Sequence, residues 1–550
     1  MTFNFFSKKT YSLWLLCSII ATALTGLIVG YDLCVVSVLI DSMRLDLHLC
    51  PLSPKVFTSS KTASDEKFVC MKESLIVSIL YPGAAIGSLT AGFFAEKYGR
   101  RYTIMLSDVF FLFGSLIFMF GQSFLDILIA RFLLGAGVGV GFVVFSTYIP
   151  EIAPAKHRGK LVAIQDAALS LGCFFSFCII SIVSVQFWHQ LIGFLSVIAF
   201  SQLIGAIFLP ESPRWLVKKG RTKEALQSLI LLTPKPFHNT SSLSCAQEEE
   251  HHTQKCIAEL ELIENDVKHS QNLKHRGTIS HLQFEDVPSH TLQKDTNNTR
   301  VSEQSTMSCS SSEKRNACFS WIQKQCQGFT NYLRFLRLYR KQLFIAIGCA
   351  CAQNFMFGNN LIYYTVPILK KKSFVSDIRL FSFGVGLSKF CGILSAIFLV
   401  DKIGRRPILL WGSIVTCIGH VVFSILFYLL DKIGSQKILI TSLIINFYIF
   451  IFSWNISWAG LMFVVASEVL PSAVRGIGIS LTITTFWLLS FFFQLTFGIL
   501  VHVLTFAGAF CLFALMNCFT ILFVVYCIED HTCQKLENIH DKSSEPNTVV

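Results

Sequence analysis

The stretch 91-AGFFAEKYGRR-101 returns in altered form as 396-AIFLVDKIGRR-406. Each copy is an apolar run that ends in an acid, a base, one variable residue and then Gly-Arg-Arg. A second pair keeps step with the first. Glu151 stands seven residues before Arg158, and Glu468 stands seven before Arg475. The separations are 305 residues from Arg100 to Arg405 and 317 from Glu151 to Glu468. Two unrelated signals with nearly one offset imply an internal duplication, so the chain is two similar halves.

The surroundings of these repeats identify their solvent. Of 550 residues, 53% are hydrophobic and 15% charged, where a soluble domain carries about 25% charged residues. Phe alone contributes 52 residues. That composition excludes a large soluble enzyme and a chain that is mainly disordered. The formal charge of +12 does not indicate nucleic acid, because the basic residues form short clusters between apolar runs, as membrane loops do. Most of the 19 Cys lie inside apolar runs such as 171-LGCFFSFCII-180, where Cys reads as a small hydrophobe.

A membrane helix needs about 20 apolar residues. Twelve runs qualify, at 12–40, 74–95, 102–121, 124–149, 160–183, 188–209, 342–369, 379–400, 407–430, 438–467, 477–500 and 502–527; they are spans 1 to 12 below. The expected fold is an all-α membrane protein of two pseudo-symmetric six-helix halves, residues 12–209 and 342–527. Parallel halves of this kind are a transporter signature, with solute held between them at mid-membrane. The first run is too long for a signal-peptide core and lacks a cleavage site.

Orientation follows Lys and Arg. With residues 1–11 inside, the inner loops carry Lys97, Arg100 and Arg101; Lys156, Arg158 and Lys160; Lys402, Arg405 and Arg406; and Arg475. The run 370-KKK-372 is the exception, on an outer loop. Both ends, including the tail 528–550, are then cytoplasmic. Residues 43–72 form an outer loop whose Cys50 and Cys70 either pair or stay free. Residues 210–341 form a long inner linker, expected to be partly disordered. Its part 216–341 holds 18 Lys/Arg, 13 Asp/Glu and seven His. Ile257, Leu260, Ile263 and Val267 mark one amphipathic surface helix there. His251-His252 reads as a solvated pair in preference to a metal site. The Asn239 and Asn297 sequons lie inside on this topology, so no glycan is expected.

Beyond the repeats, further motifs line up. They are Gly30-Tyr31-Asp32 in span 1, Arg131 with Gly135, Gly137 and Gly139 in span 4, 148-YIPEIAPAKHRG-159, 210-PESPRWL-216, and Gln353, Asn359 and 363-YY-364 in span 7. Together they resemble the sugar porters of the major facilitator superfamily, across all twelve spans. The resemblance implies hexose transport by alternating access in a multi-pass protein of the plasma membrane. The solute would be a sugar, with protons as a second partner. No cofactor, metal or nucleic acid is expected.

The resemblance also assigns residues. Glu96, Arg100, Arg101, Glu151, Arg158, Asp401, Arg405, Arg406, Glu468 and Arg475 would form an inner latch of charge-assisted bonds, broken as that side opens. The alternative for these charges is plain positive-inside anchoring. Gln165, Asp166, Gln353, Asn354, Asn359, Lys389 and Trp487 would bind substrate, since amides in a membrane span need satisfaction. Tyr363 and Tyr364 would close the outer lid. Asp32 would take the coupling proton, with Arg131 as its partner; the alternative is a permanent ion pair. Asp166 and Lys389, from opposite halves, should face each other across the cavity. At these positions related uniporters have Gln and Asn, and the charged pair resembles a divergent subgroup of animal hexose transporters with proposed proton coupling.

Two departures stand out. Span 10 of the family carries Gly-Pro-x-Pro-Trp, where this chain has 459-AGLMF-463. That puts the usual break in the helix, and one aromatic wall, in question. Phe486 replaces the family's asparagine before Trp487. Other readings remain: a carrier of a polyol, inositol or dehydroascorbate, or a sugar sensor that signals through 216–341 without transport. The Gly run 135-GAGVGVG-141 is not a nucleotide loop, because no strand precedes it. No nucleophile–base pair or metal-ligand spacing points to an enzyme.

Overall fold

The computed structural model describes residues 12–49, 71–154, 158–183, 185–234, 245–279, 339–362, 378–434, 436–471 and 475–528. Among them nine helices are long and apolar enough to cross a membrane. One of the nine, Arg475–Cys527, contains both spans 11 and 12, broken at Thr505 by a left-handed φ of 65°. The shorter apolar helix Ile164–Ile180 is the core of span 5. Span 7 begins as Arg340–Phe355 and resumes at 358–362 after a turn in which Phe357 has φ 56°. The twelve spans of the sequence are thereby accounted for. Span 1 is longer than its apolar core, running over Leu13–Asp46.

Local chemistry sets several ends. Ser123 and Asp126 form a reciprocal cap at the start of span 4, with Asp126 N donating to Ser123 Oγ at 3.2 Å and Ser123 N to Asp126 Oδ2 at 3.1 Å. The Gly-Arg-Arg loops turn on Gly99 and Gly404, at φ 102° and 94°. A side chain in that left-handed region is strained, so both halves need glycine at the same point of the repeat.

Within each half, helices touch through small residues. Span 2 lies on span 4 so closely that a methyl on Gly135 would meet the Leu80 carbonyl, and one on Gly139 the Ala84 carbonyl. The Gly run of span 4 is thus a packing seam, as small residues permit. Span 1 packs on span 5 and span 3 on span 6. The halves meet where span 2 packs on span 11 and span 5 on span 8. Those contacts are polar or aromatic: Ser88 Oγ to Thr484 Oγ1 at 2.8 Å, and Phe174 against Phe383 with ring centroids 5.2 Å apart.

Span 10 departs from α-helix without prolines. Helix Lys437–Trp454 passes into a π-helical turn, Asn455–Ala459, before Gly460–Val469 continues. A π turn inserts an extra residue and kinks a helix as proline does. Trp458 anchors it, donating from Nε1 to Ser413 Oγ in span 9 at 2.8 Å.

In the linker, the helix Cys245–Ile279 contains the amphipathic stretch. Its Leu260 packs on Trp215 and Leu216, and its Asp266 pairs with Arg214 at 3.0 Å. His251 is exposed, but His252 is buried in this helix, so the two are not one solvated pair. Cys50, Cys70, Asn239, Asn297, Tyr363 and Tyr364 lie outside the described residues.

Candidate functional site

Asp32 sits near the middle of span 1 and is buried. Arg131 of span 4 reaches it from inside the same half, with Nη1 donating to Oδ1 at 2.7 Å and to Oδ2 at 2.6 Å. Its Nε donates to the Ile76 carbonyl at 3.3 Å. Two full charges at this depth need each other. The partner expected for Asp32 is the one observed.

Beside this pair, a cavity opens between the halves, lined by Leu33, Cys34, Tyr81, Asn359, Ile362, Lys389 and Trp487. Spans 1, 2, 7, 8 and 11 all contribute. Tyr81 stacks on Trp487 at 5.9 Å and its hydroxyl donates to Asn360 Oδ1 at 3.4 Å. Phe142 and Phe486 meet Trp487 edge-on, and Phe463 closes the group against Phe142 at 5.3 Å. Phe142, Phe463 and Phe486 thus pack behind Trp487 in the core, and the aromatic residues on the cavity wall itself are Tyr81 and Trp487.

The expected polar residues divide into three groups. Asn359, Lys389 and Trp487 are on the cavity wall. Gln165 and Gln353 are buried, and Gln165 Nε2, Gln353 Oε1 and Trp487 Nε1 make no hydrogen bond among the described residues. Asn354 is different: its Nδ2 donates to the Ala350 and Phe486 carbonyls at 3.0 and 3.1 Å, and its Oδ1 accepts from Ser490 at 2.7 Å. It ties span 7 to span 11, and no part of it is on the cavity wall. An amide in a membrane helix is satisfied as well by a neighbouring helix as by a solute, which spacing alone cannot distinguish.

Asp166 and Lys389 belong to contacting helices of opposite halves and act on each other electrostatically. They make no direct ion pair with each other among the described residues. Lys389 Nζ donates instead to Cys173 Sγ at 3.2 Å, and Cys173 lies two turns beyond Asp166 on span 5. Reading Cys173 as a mere hydrophobe missed this, because nothing in its apolar surroundings marks a thiol as an acceptor. Tyr81 was missed for a similar reason: an aromatic in an apolar span reads as core.

At the latch, Arg100 meets Glu151 at 2.7 Å and Glu96 at 3.7 Å, and Arg405 meets Glu468 at 3.1 Å. Both arginine–glutamate pairs are internal to a half. Lys218 pairs with Glu96. Arg101 and Arg406 turn to carbonyls, those of Ile207 and Val525. Arg475 Nε donates to the Leu470 carbonyl at 3.2 Å. The side chains of Arg158 and Asp401 are not described. Sequence reading missed Glu211, within 210-PESPRWL-216, which accepts from the Arg100 and Arg101 backbone at 2.9 and 3.2 Å. Burial pushes its carboxyl above the ordinary value, against the pull of those donors.

Twelve spans in two repeated halves, with a cavity between them, define a membrane carrier of the major facilitator fold. The chain belongs to the family described as "Sugar (and other) transporter", which matches residues 18–273 and 290–542. The major myo-inositol transporter IolT of Bacillus subtilis (strain 168) is 24% identical over 476 residues, 85% of either chain. The glucose transporter GlcP of Staphylococcus epidermidis (strain ATCC 12228 / FDA PCI 1200) is 24% identical over 521 residues, 94% of either chain. Among solved structures, the proton:xylose symporter XylE of E. coli, bound to 6-bromo-6-deoxy-D-glucose, superposes with a TM-score of 0.70. It is 19% identical, over 96% of this chain and 99% of that one.

Proposed function

We propose that this chain carries hexoses by alternating access, coupled to protons through Asp32. The observation that supports the substrate class is the set of unpartnered buried atoms: Gln165 Nε2, Gln353 Oε1 and Trp487 Nε1. They come from both halves and include donors and an acceptor. Leaving each unmet costs about 1–3 kcal/mol, and a polyhydroxylated solute offers both kinds of partner with faces for aromatic contact. Asn359, Lys389, Tyr81 and Trp487 on the cavity wall complete the reading.

In this proposal residues 12–209 and 342–527 are the moving halves, 1–11, 210–341 and 528–550 are cytoplasmic, and the protein resides in the plasma membrane. Asp32, held by Arg131 in one protonation state, releases it in the other and so biases the helices. Arg100 with Glu151 and Arg405 with Glu468 tie the helix ends within each half on the latch side, and so bias that side towards the closed state. A second solute class, polyols and inositol, draws support from the relative named as a myo-inositol transporter.

The test is uptake by proteoliposomes of a radiolabelled panel of hexoses, pentoses, polyols and inositol, with and without an imposed proton gradient. Saturable hexose uptake that the gradient drives uphill is expected. Saturable inositol uptake alone would select the second class, and rates equal to protein-free vesicles for every solute would remove the carrier reading.

A further inference from the structure

Cys34 and Cys173 lie where spans 1 and 5 pack backbone to backbone. Gly30 lies directly on the backbone of Leu169 and Cys173, and Gly172 on that of Leu27 and Tyr31. Without a Cβ at these points the helix axes close together. Cys34, one turn beyond Gly30, thereby arrives on Cys173, one turn beyond Leu169. These glycine contacts put its side chain beside that of Cys173. Both residues are buried. From the opposite half, Lys389 Nζ donates to the same sulfur at 3.2 Å. Cys34 and Lys389 are also on the cavity wall, so this cluster adjoins the space a solute would enter.

An ammonium donor supports the anionic, nucleophilic form of a sulfur. A second thiol beside it resolves that sulfur, once oxidised, into a disulfide. We propose that Cys173 and Cys34 form a peroxide-reactive thiol pair inside the cavity, with Cys173 attacking, Cys34 resolving and Lys389 as the positioning cation. The Cys173 sulfur, its proton released, attacks one oxygen of hydrogen peroxide. An S–O bond forms, the O–O bond breaks, and the departing hydroxide takes up that proton as water. Cys34 then attacks the sulfenic sulfur: an S–S bond forms, the S–O bond breaks, and the leaving hydroxide takes the Cys34 proton as a second water. Two thiols lose two electrons and one peroxide becomes two waters. The disulfide removes from Lys389 its acceptor in the opposite half, so oxidation acts on the contact between spans 5 and 8.

The molecule carries its own comparison. Cys417 and Cys518 sit 3.9 Å apart between spans 9 and 12, with no lysine or arginine donating to either among the described residues. The full-length protein in proteoliposomes is treated with hydrogen peroxide, remaining thiols are blocked, and disulfide-linked peptides are quantified by mass spectrometry. The 34–173 disulfide is expected at least about tenfold faster than the 417–518 disulfide, since thiolate character sets the rate. In Cys34→Ser, dimedone should capture a sulfenic acid on Cys173. Lys389→Met should slow the 34–173 disulfide and leave the 417–518 rate unchanged, which also reports an intact fold, whereas Lys389→Arg should keep the fast rate. A 34–173 rate no faster than 417–518, no dimedone adduct on Cys173, or an unslowed Lys389→Met would each overturn the proposal.

Discussion

Asp32 and Arg131 place a carboxylate and a guanidinium in an apolar core, where neither survives alone. Because Arg131 grips both oxygens, Asp32→Asn keeps shape but removes half the charge pair. It is expected to abolish pH-driven accumulation while solute exchange continues, as counterflow with and without a proton gradient would record. Wild-type uptake indifferent to the gradient would make the pair structural. On the proposed function, Gln353→Ala or Asn359→Ala takes away a hydrogen-bond partner for the solute and is expected to weaken apparent affinity roughly 5- to 150-fold. Unchanged affinity for every solute in both variants would take span 7 out of the site. At this scale the sequence was readable where a residue type is rare in its surroundings. An acid and an arginine inside apolar spans have few roles, so their pairing could be foreseen. Tyr81 and Cys173 are ordinary in apolar spans, and only their neighbours, Trp487 and Lys389, show what they do.

The repeated loops behave as elements. Gly99 and Gly404 share one backbone conformation, and each half closes its own arginine–glutamate pair. If the pairs set conformational populations and not solute contacts, Arg100→Ala or Glu468→Ala slows transport with little change in binding. Comparing equilibrium solute binding with the exchange rate separates the two, and lost binding at an unaltered rate would contradict the latch. Span count and the duplication were legible because hydropathy and motif offset survive divergence. The π turn in span 10 was not, because no residue pattern marks one; its anchor is a tryptophan bonded to another helix. Asn354 shows the same limit, since its role depends on Ser490 and Phe486 across a helix contact.

Across the whole molecule, seams of small residues hold each half together, and polar or aromatic contacts join the halves. Asp166 and Lys389 are the charged members of that joint. They influence each other without touching, and Cys173 takes the direct bond. Neutralising either alone strands a charge, so Asp166→Asn with Lys389→Gln should recover part of the transport that each single change loses. Losses that simply add would mean the two charges are hydrated independently. The joint was only half legible: both charged positions could be found along the chain, but the register that sets Lys389 against Cys173 depends on how span 8 packs on span 5.

The latch face is also rich in ions at its rim. Glu96 with Lys218 and Arg214 with Asp266 join the two arginine–glutamate pairs, most with partly solvated side chains. Near the other ends of spans 1 and 2, the ion pair among the described residues is Arg44 with Glu73, at 3.2 Å. Electrolyte therefore reaches the latch face through exposed pairs. The screening length shrinks from about 8 Å at physiological ionic strength to about 3 Å at 1 M, loosening exposed pairs that hold at most about 1 kcal/mol each. Salt raised only in the compartment facing the latch should change the flux more than the same salt on the opposite side, with osmolarity matched, so that an ionic gradient alone rectifies the carrier. Equal responses from the two compartments would show that these rim charges do not govern opening.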